Sequence, residues 1–218
     1  MRYLSILLFV LSMLGCGFNT NYISSAPTIG EKTRGPISII REPEVSVHLR
    51  PRNDLKTGEL NYVVMPVVPV GGNSDEVFVQ KQTKGRFVVG LSLFANQENL
   101  ALNFSDIALR LQDSTFKAID VVRNPYANYT ESQARHFGDE DVLCPKSQKV
   151  SSELFNKDIE LTSNGLWQCY DLVFPVSAPS PRISFQIVVI IKDKSVHKDK
   201  TIIIPFVSSE WGHSDSFP

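Results

Sequence analysis

Arg86-Phe87-Val88-Val89-Gly90-Leu91-Ser92-Leu93-Phe94-Ala95 is the stretch whose reading decides the fold class. In an extended chain Phe87, Val89, Leu91 and Leu93 share one side, and Val88, Gly90, Ser92 and Phe94 share the other. A proline-free run of this period reads as a strand with a core-facing side. The same period recurs on either side of it. Val45, Val47 and Leu49 alternate with Ser46, His48 and Arg50, which suits a strand with one buried face. Ile107, Leu109 and Leu111 lie on one side of 106–112, and a second run at 115–122 follows after Asp113-Ser114, so the two read as a hairpin. Further strands are expected over 77–80, 158–161, 166–176, 182–192 and 201–207. Leu60 to Val70 is apolar but carries Pro66 and Pro69, which cannot donate to a ladder, so it reads as an edge or extended segment. With no long amphipathic helix and no internal repeat, this spacing points to an all-β chain and, within that class, to a β-sandwich.

Composition narrows the function classes. Of 218 residues, 42% are hydrophobic and 21% charged, which is too apolar for a largely disordered chain. Lys and Arg number 22 against 23 Asp and Glu, so no basic surplus points to nucleic acid. Three cysteines are too few for a disulfide-dense scaffold.

The N-terminus carries the cellular address. Met1-Arg2-Tyr3 is followed by an uncharged, mostly apolar run from Leu4 to Gly15. As a helix that run would span only about 18 Å against a hydrocarbon core of roughly 30 Å, so it suits a signal peptide better than a membrane span. Met13-Leu14-Gly15-Cys16 resembles the lipobox of bacterial lipoprotein precursors, although Met13 and Leu14 depart from its usual residues. The resemblance implies that residues 1–15 are removed and that Cys16 carries a diacylglycerol thioether. Such a lipid anchor would hold the chain on a membrane facing the periplasm. Gly17, in place of an aspartate, favours the outer membrane. An ordinary secretory signal that happens to contain a cysteine is the alternative.

Residues 16–36 read as the lipidated N-terminus and a flexible N-terminal tether, rich in Asn, Ser, Gly and Pro; packing of part of it as an edge strand stays open because Tyr22, Ile23 and Ile29 are apolar. A β domain is expected over 37–208, with an insertion at 123–156 that is mostly loop, a helix over Thr130–Phe137 being the one element it suggests. The last residues, 209–218, have no core pattern and read as a disordered tail.

Within the domain, Phe87-Val88-Val89-Gly90-Leu91-Ser92-Leu93, Asn103 to Asp113, Leu161 to Gly165 and Tyr170 to Val176 resemble the immunoglobulin-like domains of bacterial envelope proteins of unknown function. The resemblance implies an immunoglobulin-like β-sandwich and says little about activity. Ser105 and Asp106 are expected to cap a turn, and Phe174 to fill the core before Pro175 ends ladder pairing.

If Cys16 is lipidated, Cys144 and Cys169 remain, and in an oxidising compartment an even pair reads as a disulfide, with two free buried thiols as the alternative. The histidines are His48, His136, His197 and His213, and none has ligand spacing to another His, Cys or Glu. His136 beside Asp139, Glu140 and Asp141 is the one metal-like grouping, and it lacks the order of a calcium loop. No nucleophile elbow, phosphate loop or dinucleotide fingerprint is present, so no catalytic residue, metal or cofactor is assigned. Trp167, Tyr170 and Phe174 read as core. The basic residues at 192–200 alternate with acids and read as a solvated hairpin tip. These observations together favour a non-enzymatic binding or assembly module of the cell envelope with an envelope protein as partner. A passive accessory of a larger envelope complex, or a hydrolase with scattered residues, are the other classes.

Overall fold

A computed structural model describes residues 17–32, 38–62, 70–73, 75–122, 155–163, 165 and 167–216. Among them the chain is all-β, with one short 3-10 turn at Phe104–Asp106. The strands are β1 (Gly17–Pro27), β2 (Glu31–Lys32), β3 (Ser38–Arg41), β4 (Val45–Pro51), β5 (Leu55–Tyr62), β6 (Val70–Asn73), β7 (Val77–Phe78) and β8 (Phe87–Ala95). After them come β9 (Leu100–Leu102), β10 (Ala108–Leu111), β11 (Ser114–Lys117), β12 (Asp120–Val122), β13 (Ile159–Glu160), β14 (Gln168–Phe174), β15 (Phe185–Asp193) and β16 (Lys198–Ser216). Cys16, Cys144, His136, the acidic run 139–141, the helix expected over Thr130–Phe137 and most of the insertion lie outside the described residues.

Two antiparallel sheets result. One runs β12-β14-β8-β4-β3-β2; the larger follows β11-β10-β15-β16-β1-β5-β6, with β7, β9 and β13 attached beside that path. The alternation read from the sequence sets the inward faces. Phe87, Val89, Leu91 and Leu93 of β8, with Val45, Val47 and Leu49 of β4, meet Ile187, Val189, Ile202, Ile204 and Phe206 of the other sheet in one buried cluster. Phe87 of the smaller sheet meets Phe185 of the larger edge to face, at 5.9 Å between ring centres, and Phe185 stacks on Phe206 at 4.9 Å. Each fully buried phenylalanine is worth roughly 1.5–3 kcal/mol of transfer free energy, so this seam is a principal tie between the sheets.

The sheets also pass chain to one another at their sides, giving a curled, half-barrel arrangement. The run 115–122, expected as a single strand, divides for this reason. Ala118 N donates to Ile107 O beside the larger sheet, and the next amide, Ile119 N, donates to Val173 O in the smaller. The expected hairpin between β10 and β11 is present, with Leu111 opposite Ser114. On the other side β4 crosses into β5 at Arg52–Asp54. There Arg52 N donates to Val88 O, and the buried Asn53 amide donates to Ser25 Oγ and to Pro179 O.

Two expectations fail at the chain ends. Gly17–Pro27, read as the first part of a tether, is a strand, and not an edge strand: β16 pairs along its whole length and β5 along Gly17–Ile23. The tail expected from residue 209 is the second half of β16, which continues to Ser216. Each end lacks a periodic apolar pattern of its own, and each gains its backbone hydrogen bonds from the other. Tyr22 and Trp211 stack across this pairing at 4.2 Å, and Trp211 Nε1 donates to Ser24 Oγ. A smaller correction concerns the turn before β10. Asn103, not Ser105 or Asp106, caps it, its Oδ1 accepting from Ser105 N and Oγ. Phe174 is fully buried and ends β14 as expected.

Candidate functional sites

A cleft lies at the end of the molecule that carries the β15–β16 tip. The basic cluster 192–200 sits there, but Lys192, Lys194 and Lys200 are partnered rather than merely solvated. Lys200 Nζ bonds Glu44 and lies 3.0 Å from Glu42, Lys194 Nζ donates to Glu160, and Lys192 Nζ donates to Asp158. The lysine partners hold the Glu44, Glu160 and Asp158 carboxyls below the usual carboxylate range. Asp193 Oδ1 accepts from Ser195 N and Oγ and is likewise lowered by those bonds, which closes the tip into a defined turn. Between this tip and the start of β4 is an open cleft of about 420 Å³. Its floor is apolar, from Val45, Leu100 and Ile191, and its rim is charged, from Glu44, Asp193 and Lys200. Val196, at the rim, is 64% exposed. A concave apolar floor with a few fixed polar groups is the usual composition of a small binding site.

The second site was not legible in the alternation. β4 is buried along its whole length, from Val45 to Pro51, so the expectation of one buried face is corrected. On the side turned away from the shared core, Ile39, His48, Ser92 and Cys169 form a row across β3, β4, β8 and β14. The next row places Arg50, Gly90 and Asp171 in register. Ile39 and Cys169 make a second small cluster with Trp167. Trp167 therefore packs outside the main core, against Phe94 at 5.6 Å, while Tyr170 and Phe174 belong to that core.

This row is electrostatically unusual. Arg50 Nη2 donates to Asp54 Oδ2 at 2.9 Å, and Arg52 Nη2 lies 3.9 Å from Asp171 Oδ1; all four side chains are 3–5% exposed. Burial pushes Asp171 up to about 6, with Arg52 pulling the other way. Burial, reinforced by Arg50 and Arg52, pulls His48 down to about 3, so its imidazole is neutral at pH 7. Both ring nitrogens of His48, Ser92 Oγ and the Nε and Nη1 of Arg50 have no hydrogen-bond partner among the described residues. Ser92, His48 and Asp171 are near one another in register but form no relay, because His48 bonds neither. Arg50 with Asp54 and Arg52 with Asp171 thus make this face a buried cluster of opposite charges.

Cys169 is buried and disulfide-bonded. Its partner lies outside the described residues, so the pairing with Cys144 stays an expectation. Among the described residues no group of three His, Cys, Asp or Glu is placed to hold a metal ion. No helix among them is long and apolar enough to cross a membrane. No protein family, curated protein or solved structure matches this chain, so the immunoglobulin-like and lipobox resemblances rest on the quoted residues alone.

Proposed function

We propose that the chain is a lipid-anchored cell-envelope protein facing the periplasm, held through Cys16 on the outer membrane. Its domain is an immunoglobulin-like β-sandwich used as a non-enzymatic binding or assembly module. The observation that supports binding best is the cleft beside the β15–β16 tip, with its apolar floor, fixed charged rim and exposed Val196. An apolar side chain from an envelope protein, flanked by polar groups of both signs, suits that composition. The burial of Phe87 of one sheet against Phe185 and Phe206 of the other supports the sandwich reading.

Cell fractionation tests the anchor. Cys16→Ser is expected to move the protein from the membrane to the soluble periplasmic fraction; a variant that stays membrane-bound overturns it. Crosslinking and pull-down from envelopes tests the module. Discrete partners lost on Val196→Asp support it, whereas a stoichiometric complex indifferent to that change supports a passive accessory role.

A further inference from the structure

The start of β1 fixes how a lipid on Cys16 would present this domain. Gly17, the residue after Cys16, is paired on both sides, with Ser216 of β16 and with Asn61 of β5. The first seven of the 11 residues of β1, Gly17–Ile23, therefore lie between β16 and β5 in a ribbon that β6 joins along the end of β5, and they are not a loose leash. The ribbon is pinned by the Tyr22–Trp211 stack, 13° from parallel, and by the 2.8 Å bond from Trp211 to Ser24. β16 is the continuous element: its end near Ser216 pairs with β1, and its beginning pairs with β15 as far as Asp193 opposite Lys198. At about 3.3 Å per residue, its length corresponds to roughly 60 Å of strand contour, shortened by twist.

We propose that the ribbon end at Gly17, Ser216 and the paired Tyr62 and Val70 rests against a lipid surface and that the ribbon acts as a stiff stalk. The cleft beside Val196 is then held at the far end of β16, away from the bilayer. This rests on the lipid-anchor reading. A flexible leash of about 20 residues would wander over roughly 25 Å and leave orientation free; a strand paired on both edges does not. The occupant of this end is a bilayer because the attachment atom is one residue from the ribbon's first paired residue.

The test uses the full lipidated protein in vesicles of phosphatidylethanolamine and phosphatidylglycerol carrying an acceptor dye on the lipid. A donor is attached through an azide-bearing residue at Lys56, opposite Tyr22 in the ribbon, or at Val196; both positions are exposed. Energy transfer from position 56 is expected to exceed that from position 196 by roughly twofold or more, given their separation along the strands. A Gly/Ser insert of about 20 residues between Cys16 and Gly17 is expected to lower transfer at position 56 and reduce the contrast. Mass spectrometry of the N-terminal peptide reports the acyl chains. Acylated Cys16 with equal transfer from both positions, or with an insert that changes neither, overturns the stalk alone. Unacylated Cys16 overturns the anchor and the stalk with it.

Discussion

Arg50 and Asp54 form an ion pair at 2.9 Å in which both side chains are 3% exposed, at the corner where β4 crosses between the sheets. Removing one partner leaves the other charge buried. Arg50→Ala is expected to cost about 3–5 kcal/mol, and Arg50→Met with Asp54→Leu to recover much of that loss. Urea denaturation followed by tryptophan fluorescence, arranged as a double-mutant cycle, checks it. Additive single losses would show that the pair is not coupled.

Stability should carry two opposed pH dependences from the same face. Asp171 has a folded pKa raised to about 6, so its contribution is present below the ordinary carboxylate pKa and is lost as pH rises through 6. The gap between an ordinary aspartate and one that titrates near 6 corresponds to about 3 kcal/mol. His48 has a folded pKa lowered to about 3, so its contribution is present above 6.5 and is lost as pH falls towards 3. Relative to the parent, Asp171→Asn should gain stability from pH 4 to pH 7, and His48→Gln from pH 7 to pH 4. Denaturation midpoints at pH 4, 5, 6 and 7 measure both; differences that do not vary with pH would refute the assignment.

The ribbon should loosen without the core. Trp211→Ala removes the stack on Tyr22 and the bond to Ser24. A local loss of about 1 kcal/mol corresponds to roughly fivefold faster amide exchange at Asn21–Ser24. Exchange in β8 and β14 should be unchanged. Equal acceleration throughout would mean that the ribbon opens only by global unfolding.

The proposed Cys144–Cys169 bridge would close a loop of about 26 residues, worth roughly 3 kcal/mol in the chain-entropy model. A non-reduced digest should contain the two cysteines in one crosslinked peptide. Cys144→Ser should make Cys169 alkylatable after unfolding and lower stability by a similar amount. Recovery of Cys169 crosslinked to anything other than Cys144 would reject the pairing.

The elements legible beforehand are those with a local signal. Phe87 to Ala95 alternates because one face meets the core, and β8 spans Phe87–Ala95. The hairpin of Ala108–Leu111 with Ser114–Lys117 was legible because a two-residue connection constrains its neighbours to pair, although the rest of the run, Asp120–Val122, pairs in the other sheet. The polar row was not. His48, Ser92 and Asp171 are single polar residues on separate strands, and a period of two assigns each to a solvent face. Their juxtaposition depends on the order β14-β8-β4, which no local window contains. Arg50 to Asp54 carries a partial signal, two arginines and an aspartate around Pro51, but taken in chain order it reads only as a break between strands. The cleft combines Val45, Leu100 and Ile191 from three strands, and so it too depends on strand order.

Sequence alone determined that the chain builds strands, because side-chain alternation and the absence of a helical period are local properties. It also determined where Cys16 stands relative to the apolar run Leu4 to Gly15. Tertiary structure decided the fate of the two chain ends. Gly17–Pro27 and the end of β16 have little apolar periodicity to bury, and each is a strand because the other supplies its hydrogen-bond partners. Backbone donors and acceptors demand partners whatever the side chains are. Pairing between residues some 190 positions apart is therefore invisible to composition and visible only in the fold.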